Sequence, residues 1–135
     1  MTPHSVSVRA THASPSALHV HNARGQSLEV ALSPSAAGFS PLELQASALA
    51  ACVAMSVRIA ARRAGQALQG PVEVTVTATK ATDEPSRLGS FDVVVEIVEN
   101  LPPGVSTALV AAAEDICTIS NTLRSLDVRI GSRAV

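Results

Sequence analysis

The stretch Pro41-Leu42-Glu43-Leu44-Gln45-Ala46-Ser47-Ala48-Leu49-Ala50-Ala51-Cys52 decides the fold of this chain. With Ser40 ahead of it, it satisfies the capping-box pattern: the Ser40 hydroxyl accepts from the Glu43 amide, Glu43 reaches back to the Ser40 N–H, and Pro41 takes the first helical position. The apolar pattern continues through Val53, Met55, Val57 and Ile59 to Arg62-Arg63-Ala64-Gly65. There the two arginines complement the negative end of the helix dipole, and glycine can adopt the left-handed conformation that closes a helix. A helix is therefore predicted from Pro41 to about Ala64, roughly 36 Å long. Its apolar residues surround the axis rather than forming one stripe, so it should be buried on every side. One thin sheet from a chain of 135 residues cannot enclose such a helix, which predicts a second subunit.

Before the helix the apolar residues recur at period two: Val6, Val8 and Ala10, then Leu18 and Val20, then Leu28, Val30 and Leu32. Ser14-Pro15-Ser16 and Asn22-Ala23-Arg24-Gly25 supply turns between them, giving three antiparallel strands. After the helix, Val72, Val74 and Val76 alternate with polar residues, as do Phe91, Val93, Val95 and Ile97, with Asp83-Glu84-Pro85-Ser86-Arg87 between them. That is a hairpin with a longish loop. Val105, Leu109, Ala112 and Ile116 then return at helical spacing, Ile119, Leu123 and Leu126 continue as a second helical piece, and Asp127-Val128-Arg129-Ile130 reads as a final strand. This order has no βαβ alternation and predicts an α+β fold in a single domain over residues 1–135.

Composition narrows the function. Net charge is −1, from ten Lys plus Arg against eleven Asp plus Glu spread along the chain, so no basic track exists for nucleic acid. With no Trp or Tyr and only Phe39 and Phe91, base-stacking platforms are missing too. Charged residues make up only 16% and apolar residues 47%, a sparse surface charge that agrees with a subunit interface. The longest uncharged run, residues 44–57, falls short of the roughly 20 apolar residues needed to cross a bilayer, so a membrane partner is not expected. Met1-Thr2-Pro3-His4-Ser5 has neither a basic start nor a signal-length apolar run, which makes a cytoplasmic location the expectation.

The candidate chemistry lies in the two cysteines, Cys52 in the long helix and Cys117 in the later helical region. In a reducing compartment they should be free thiols or a transient redox pair. Taken singly, each also fits as a small apolar core residue, whose burial would raise its pKa. His19 and His21 share one strand face and could begin a metal site, but no third ligand accompanies them, so no metal is expected. There is no phosphate loop, hydrolytic triad or dinucleotide fingerprint, and no cofactor is expected.

The run Ser40-Pro41-Leu42-Glu43-Leu44 through Ala50-Ala51-Cys52, followed by Cys117-Thr118-Ile119-Ser120-Asn121-Thr122-Leu123, resembles the paired cysteine motifs of the OsmC/Ohr family. Asn22-Ala23-Arg24-Gly25-Gln26-Ser27-Leu28 and the element order along nearly the whole chain resemble it too. The resemblance implies an OsmC-like fold, an intertwined homodimer with long central helices wrapped by sheets, and reduction of organic hydroperoxides in oxidative stress defence. It implies further that Cys52 is the peroxidatic thiolate and that Cys117 resolves its sulfenic acid as a disulfide, later reduced by a dithiol.

The chain also departs from that pattern. The hydroperoxide-reductase branch carries an acid ten positions before the first cysteine, and here that position is Leu42. Glu43 is one residue later; at about 100° per residue it points roughly 180° from Cys52 and is about 13 Å away along the axis, so it reads as a cap. The branch's activating arginine belongs in the segment after the first strand, yet Ala10-Thr11-His12-Ala13-Ser14-Pro15-Ser16 holds none, which leaves Arg9 and Arg24 as substitutes. Two further readings stand beside the peroxidase: an OsmC-like protein that binds an apolar small molecule in the interface cavity, and a dimer whose cysteines only pack.

Overall fold

The computed structural model describes residues 3–135. The chain forms β1 (Val8–Thr11), β2 (Leu18–Asn22), β3 (Ser27–Val30), α1 (Pro41–Arg63), β4 (Val72–Lys80), β5 (Leu88–Ile97), α2 (Val105–Ile116) and α3 (Thr118–Arg124). It divides into two compact units, one running through Gln45 and the other from Ala46 onward.

In the N-terminal unit β1, β2 and β3 form an antiparallel sheet in sequence order. Alternation gives this sheet two chemically distinct faces. Val8, Ala10, Leu18, Val20, Leu28 and Val30 lie in register on one, and Arg9, Thr11, His19, His21, Ser27 and Glu29 on the other. The β2–β3 turn is held by the Asn22 side chain, whose Oδ1 accepts from the Arg24 and Gln26 amides at 3.0 Å each. Beyond β3 the loop returns so that Phe39 bridges Val30. This close return requires Gly38: its φ is 98°, and a Cβ there would overlap the Glu29 carbonyl.

The start of α1 is the capping box read from the sequence, with Glu43 N–H donating to Ser40 Oγ at 3.1 Å and Ser40 N–H to Glu43 Oε1 at 3.3 Å. Its end is a Schellman motif. Gly65, at φ 73°, donates to the Arg62 carbonyl at 3.1 Å, and Gln66 donates to Ala61 at 2.8 Å.

In the C-terminal unit β4 and β5 pair as the expected hairpin, and its inward face meets α1. Leu49, Val53 and Val57 of α1 join Ala113 and Cys117 in a core covered by Val72, Val74, Val76, Phe91, Val93, Val95 and Ile97. Ala60, Ala61 and Leu109 form a second cluster against Leu68, Leu101, Val105 and Ile116. Burying each large aliphatic side chain contributes roughly 1.5–3 kcal/mol, so these two clusters fix α1 on the hairpin. Arg58 fastens the same helix to the strand approach, donating to the carbonyls of Leu68 at 3.1 Å and Gly70 at 2.8 Å.

The structure departs from the sequence reading in four places. By length and apolarity α1, 23 residues with an 18-residue stretch at mean hydropathy 1.5, is sufficient to cross a membrane, although its uncharged run is short. Here it is instead the core helix, with Leu49, Val53 and Val57 packed on the hairpin. Its burial within one chain is one-sided, because a single hairpin covers one face: Met55 stays 66% exposed. In α2 the buried alanine is Ala113, not Ala112, since Ala113 shares the face of Leu109. The tail of residues 127–130 forms no strand: Leu126, Val128 and Ile130 alternate as a strand would, yet no sheet edge receives them and they remain 54–100% exposed. A strand gains its hydrogen bonds only from a neighbour, so alternation alone cannot form one.

Replacing Gly65 with alanine tests the α1 terminus. No atom lies within 4 Å of the new Cβ, so the cost is purely conformational. Urea unfolding should show a loss of about 1 kcal/mol, read as a lower midpoint at unchanged slope.

Candidate thiol site

Cys52 sits midway along α1, half-buried, and Cys117 is wholly buried where α2 gives way to α3. The break at Cys117 makes the site. Its N–H completes α2 by donating to Ala113 at 2.9 Å, after which φ −66° and ψ 107° carry the backbone out of the helical path. Its carbonyl then accepts from Asn121 at 3.0 Å as the first bond of α3. One residue is thus the C-cap of one helix and the N-cap of the next.

The first N–H groups of any helix lack partners inside it. In α3 they go to sulfur. The Ser120 amide donates to Cys117 Sγ at 3.4 Å, and the Thr118 and Ile119 amides at the same helix start favour the ionised form of Cys52. Two side chains complete the surroundings of Cys52: the Cys117 thiol and the hydroxyl of Ser56, one helical turn further along α1 and itself buried.

These contacts split the two thiols. For Cys52, burial pushes the pKa up, but the Ile119 amide, the Cys117 thiol, the Thr118 amide and the Ser56 hydroxyl together outweigh it and hold the thiol below its ordinary value. For Cys117, burial is again the largest influence; the Ser120 and Ile119 amides oppose it only partly, and the adjacent Cys52 adds to the rise. Two thiolates side by side would repel, so Cys52 loses its proton before Cys117 does.

The groups acting on Cys52 include no cation. Arg58, six residues on, is committed to the Leu68 and Gly70 carbonyls. Arg124 pairs with Glu114, three residues before Cys117, at 2.9 Å. Arg9 lies opposite His21 on the polar face of the N-terminal sheet, and Arg24 in the β2–β3 turn. Glu43 is the α1 cap. His19 and His21 have ring centroids 6.2 Å apart, and among the described residues no group of three metal-ligating side chains converges. A cleft of about 350 Å³ between α1, β5 and α3 is lined by Leu49, Val53, Phe91, Ser120 and Leu123, but by neither sulfur.

The sequence reading named both cysteines and missed Ser56, Thr118, Ile119 and Ser120. Ser56 was legible as the polar residue one turn from Cys52. The two amides carry no side-chain signature.

The thiol pair has opposite pH signatures. A depressed Cys52 stabilises the fold above its unfolded pKa, and that contribution is lost as pH falls through the folded value. A raised Cys117 contributes fully below its unfolded pKa and loses that contribution as pH rises through the folded value. Iodoacetamide labelling of the native protein should therefore modify Cys52 first, with a midpoint below that of the same cysteine in urea. Equal midpoints in the two states would contradict the geometry.

The family model described as OsmC-like protein matches residues 34–131, a span that contains both cysteines. Among solved structures, the chain is similar to an organic hydroperoxide resistance protein OsmC, a predicted redox protein from Legionella pneumophila, at 25% identity and TM-score 0.75, covering 92% of each chain. It is similar to an OsmC-like protein from Mycoplasma pneumoniae at 18% identity and TM-score 0.83, covering 93% of this chain and 91% of that one. The organic hydroperoxide resistance protein OhrB of Bacillus subtilis matches at 23% identity and TM-score 0.69, over 91% and 93% of the two chains. The search of curated proteins gives no match. With the family model covering most of its length and the α+β order of the solved structures reproduced in its own, the chain belongs to the OsmC-like family.

Proposed function

We propose that this protein is a thiol-dependent peroxidase that reduces organic hydroperoxides through Cys52 and Cys117, working in the cytoplasm as a single OsmC-like domain within a homodimer. The observation that carries this reading is the pair itself: Cys52 packs on the core that holds Cys117, and their surroundings lower the pKa of the first and raise that of the second. Two of the similar structures are of proteins named for organic hydroperoxide resistance.

The Cys52 thiolate attacks one peroxide oxygen, the O–O bond breaks, and the alkoxide leaves as alcohol after taking a proton. Cys52 is then a sulfenic acid, oxidised by two electrons. The Cys117 sulfur attacks it, water departs, and a disulfide forms. A dithiol returns both electrons by exchange, leaving as its own disulfide. Because a sulfenic acid left alone oxidises further, the adjacency of the second thiol protects the first.

Main-chain amides supply the stabilisation that an arginine would give. Burial opposes ionisation of Cys52, and fixed donors aimed at the sulfur offset that without importing a charge. Ala48 and Met55 flank Cys52 on the exposed side of α1, which favours an apolar substituent on the peroxide. A second copy covering this face would close an apolar cavity over the sulfur.

Stopped-flow consumption of cumene hydroperoxide with dithiothreitol tests the reading. The wild type should turn over, and Cys52→Ser should fall to the uncatalysed background. A wild type no faster than Cys52→Ser would overturn the peroxidase and leave an apolar-ligand-binding OsmC-like protein in its place.

A further inference from the structure

Cys117 does something in the resting structure that its part in disulfide formation does not require: its sulfur is the side-chain cap of α3. The helix has only 7 residues, too few to be stable by propensity alone, so its first turn depends on what holds it. Ser120 is buried, and its amide donates to Cys117 Sγ at 3.4 Å. Cys52 and Ile119 pack against the core that contains Cys117, and the Thr118 and Ile119 amides are among the groups that favour ionisation of Cys52.

We propose that Cys117 is a positioning residue for Cys52: by accepting the Ser120 amide it fixes the turn that presents the Thr118 and Ile119 N–H groups to the Cys52 sulfur. The inference rests on Cys52 as the nucleophile, but concerns how its surroundings are built. Sulfur is a weak acceptor, whereas a serine hydroxyl is among the best caps, which separates the two duties of the residue. Cys117→Ser removes the resolving thiol and keeps the cap. Cys117→Ala removes both, and Cys117→Val removes both while filling the volume.

The test is the pH profile of Cys52 labelling by iodoacetamide in these variants, with amide hydrogen exchange at residues 118–120. No peroxide is present, so a protein inert toward hydroperoxides still gives an answer. Cys117→Ser should keep the wild-type midpoint and protection at all three amides. Cys117→Ala should label Cys52 about tenfold more slowly at neutral pH, with a raised midpoint and faster exchange at residues 118–120. The valine variant reports the same where alanine does not fold. Equal profiles in the serine and alanine variants would overturn the proposal. So would a raised midpoint with unchanged protection, because Cys117 would then act only as a direct donor to Cys52. If neither alanine nor valine folds, the wild type decides: a protected Ser120 amide supports the cap, and fast exchange refutes it.

Discussion

The site depends on one interruption in the backbone. At Cys117 the chain steps out of helical geometry for a single residue, and that step frees the leading amides of α3 from internal bonding. Buried donors need acceptors, and the acceptors at hand are two sulfurs. Had α2 run on unbroken through residue 117, the amides of residues 118–120 would have been spent on carbonyls one turn back. Cys52 would then face only burial, which favours the inert thiol.

The asymmetry between the thiols follows from where each sits relative to that step. Cys52 comes from a different helix, and the Ile119 amide, the Cys117 thiol, the Thr118 amide and the Ser56 hydroxyl all favour its ionisation. Cys117 belongs to the step itself; it is more deeply buried, and the neighbouring Cys52 opposes its ionisation. One becomes the better nucleophile and the other a proton-bearing neighbour, although their intrinsic chemistry is the same. The hairpin's part is mechanical: Val93, Val95 and Val76 press α1 and the α2–α3 junction into one core, so the sulfurs cannot drift apart.

What was legible in the sequence was what is local. The Ser40–Glu43 box and Gly65 mark the two ends of α1, and period-two alternation marks all five strands, because each signal is satisfied by residues a few positions away. The tail at residues 127–130 misled for the converse reason: alternation records a capacity to pair, and pairing needs an edge the local sequence cannot specify. At the site, side-chain motifs identified both cysteines. They also raised the expectation of an activating arginine, and among the described residues the groups that act on Cys52 include none. The amides that stand there instead are common to almost every residue type, so no pattern of letters announces them.

That anonymity gives the site an unusual tolerance. A guanidinium is lost with one substitution, whereas the N–H groups at positions 118 and 119 survive nearly any replacement of the threonine and isoleucine that carry them. Proline alone would abolish them. At the first position of a helix it is ordinarily welcome, since the hydrogen it lacks has no partner there. In this fold that hydrogen has one, so a residue harmless at most helix starts would here silence half of the main-chain cradle.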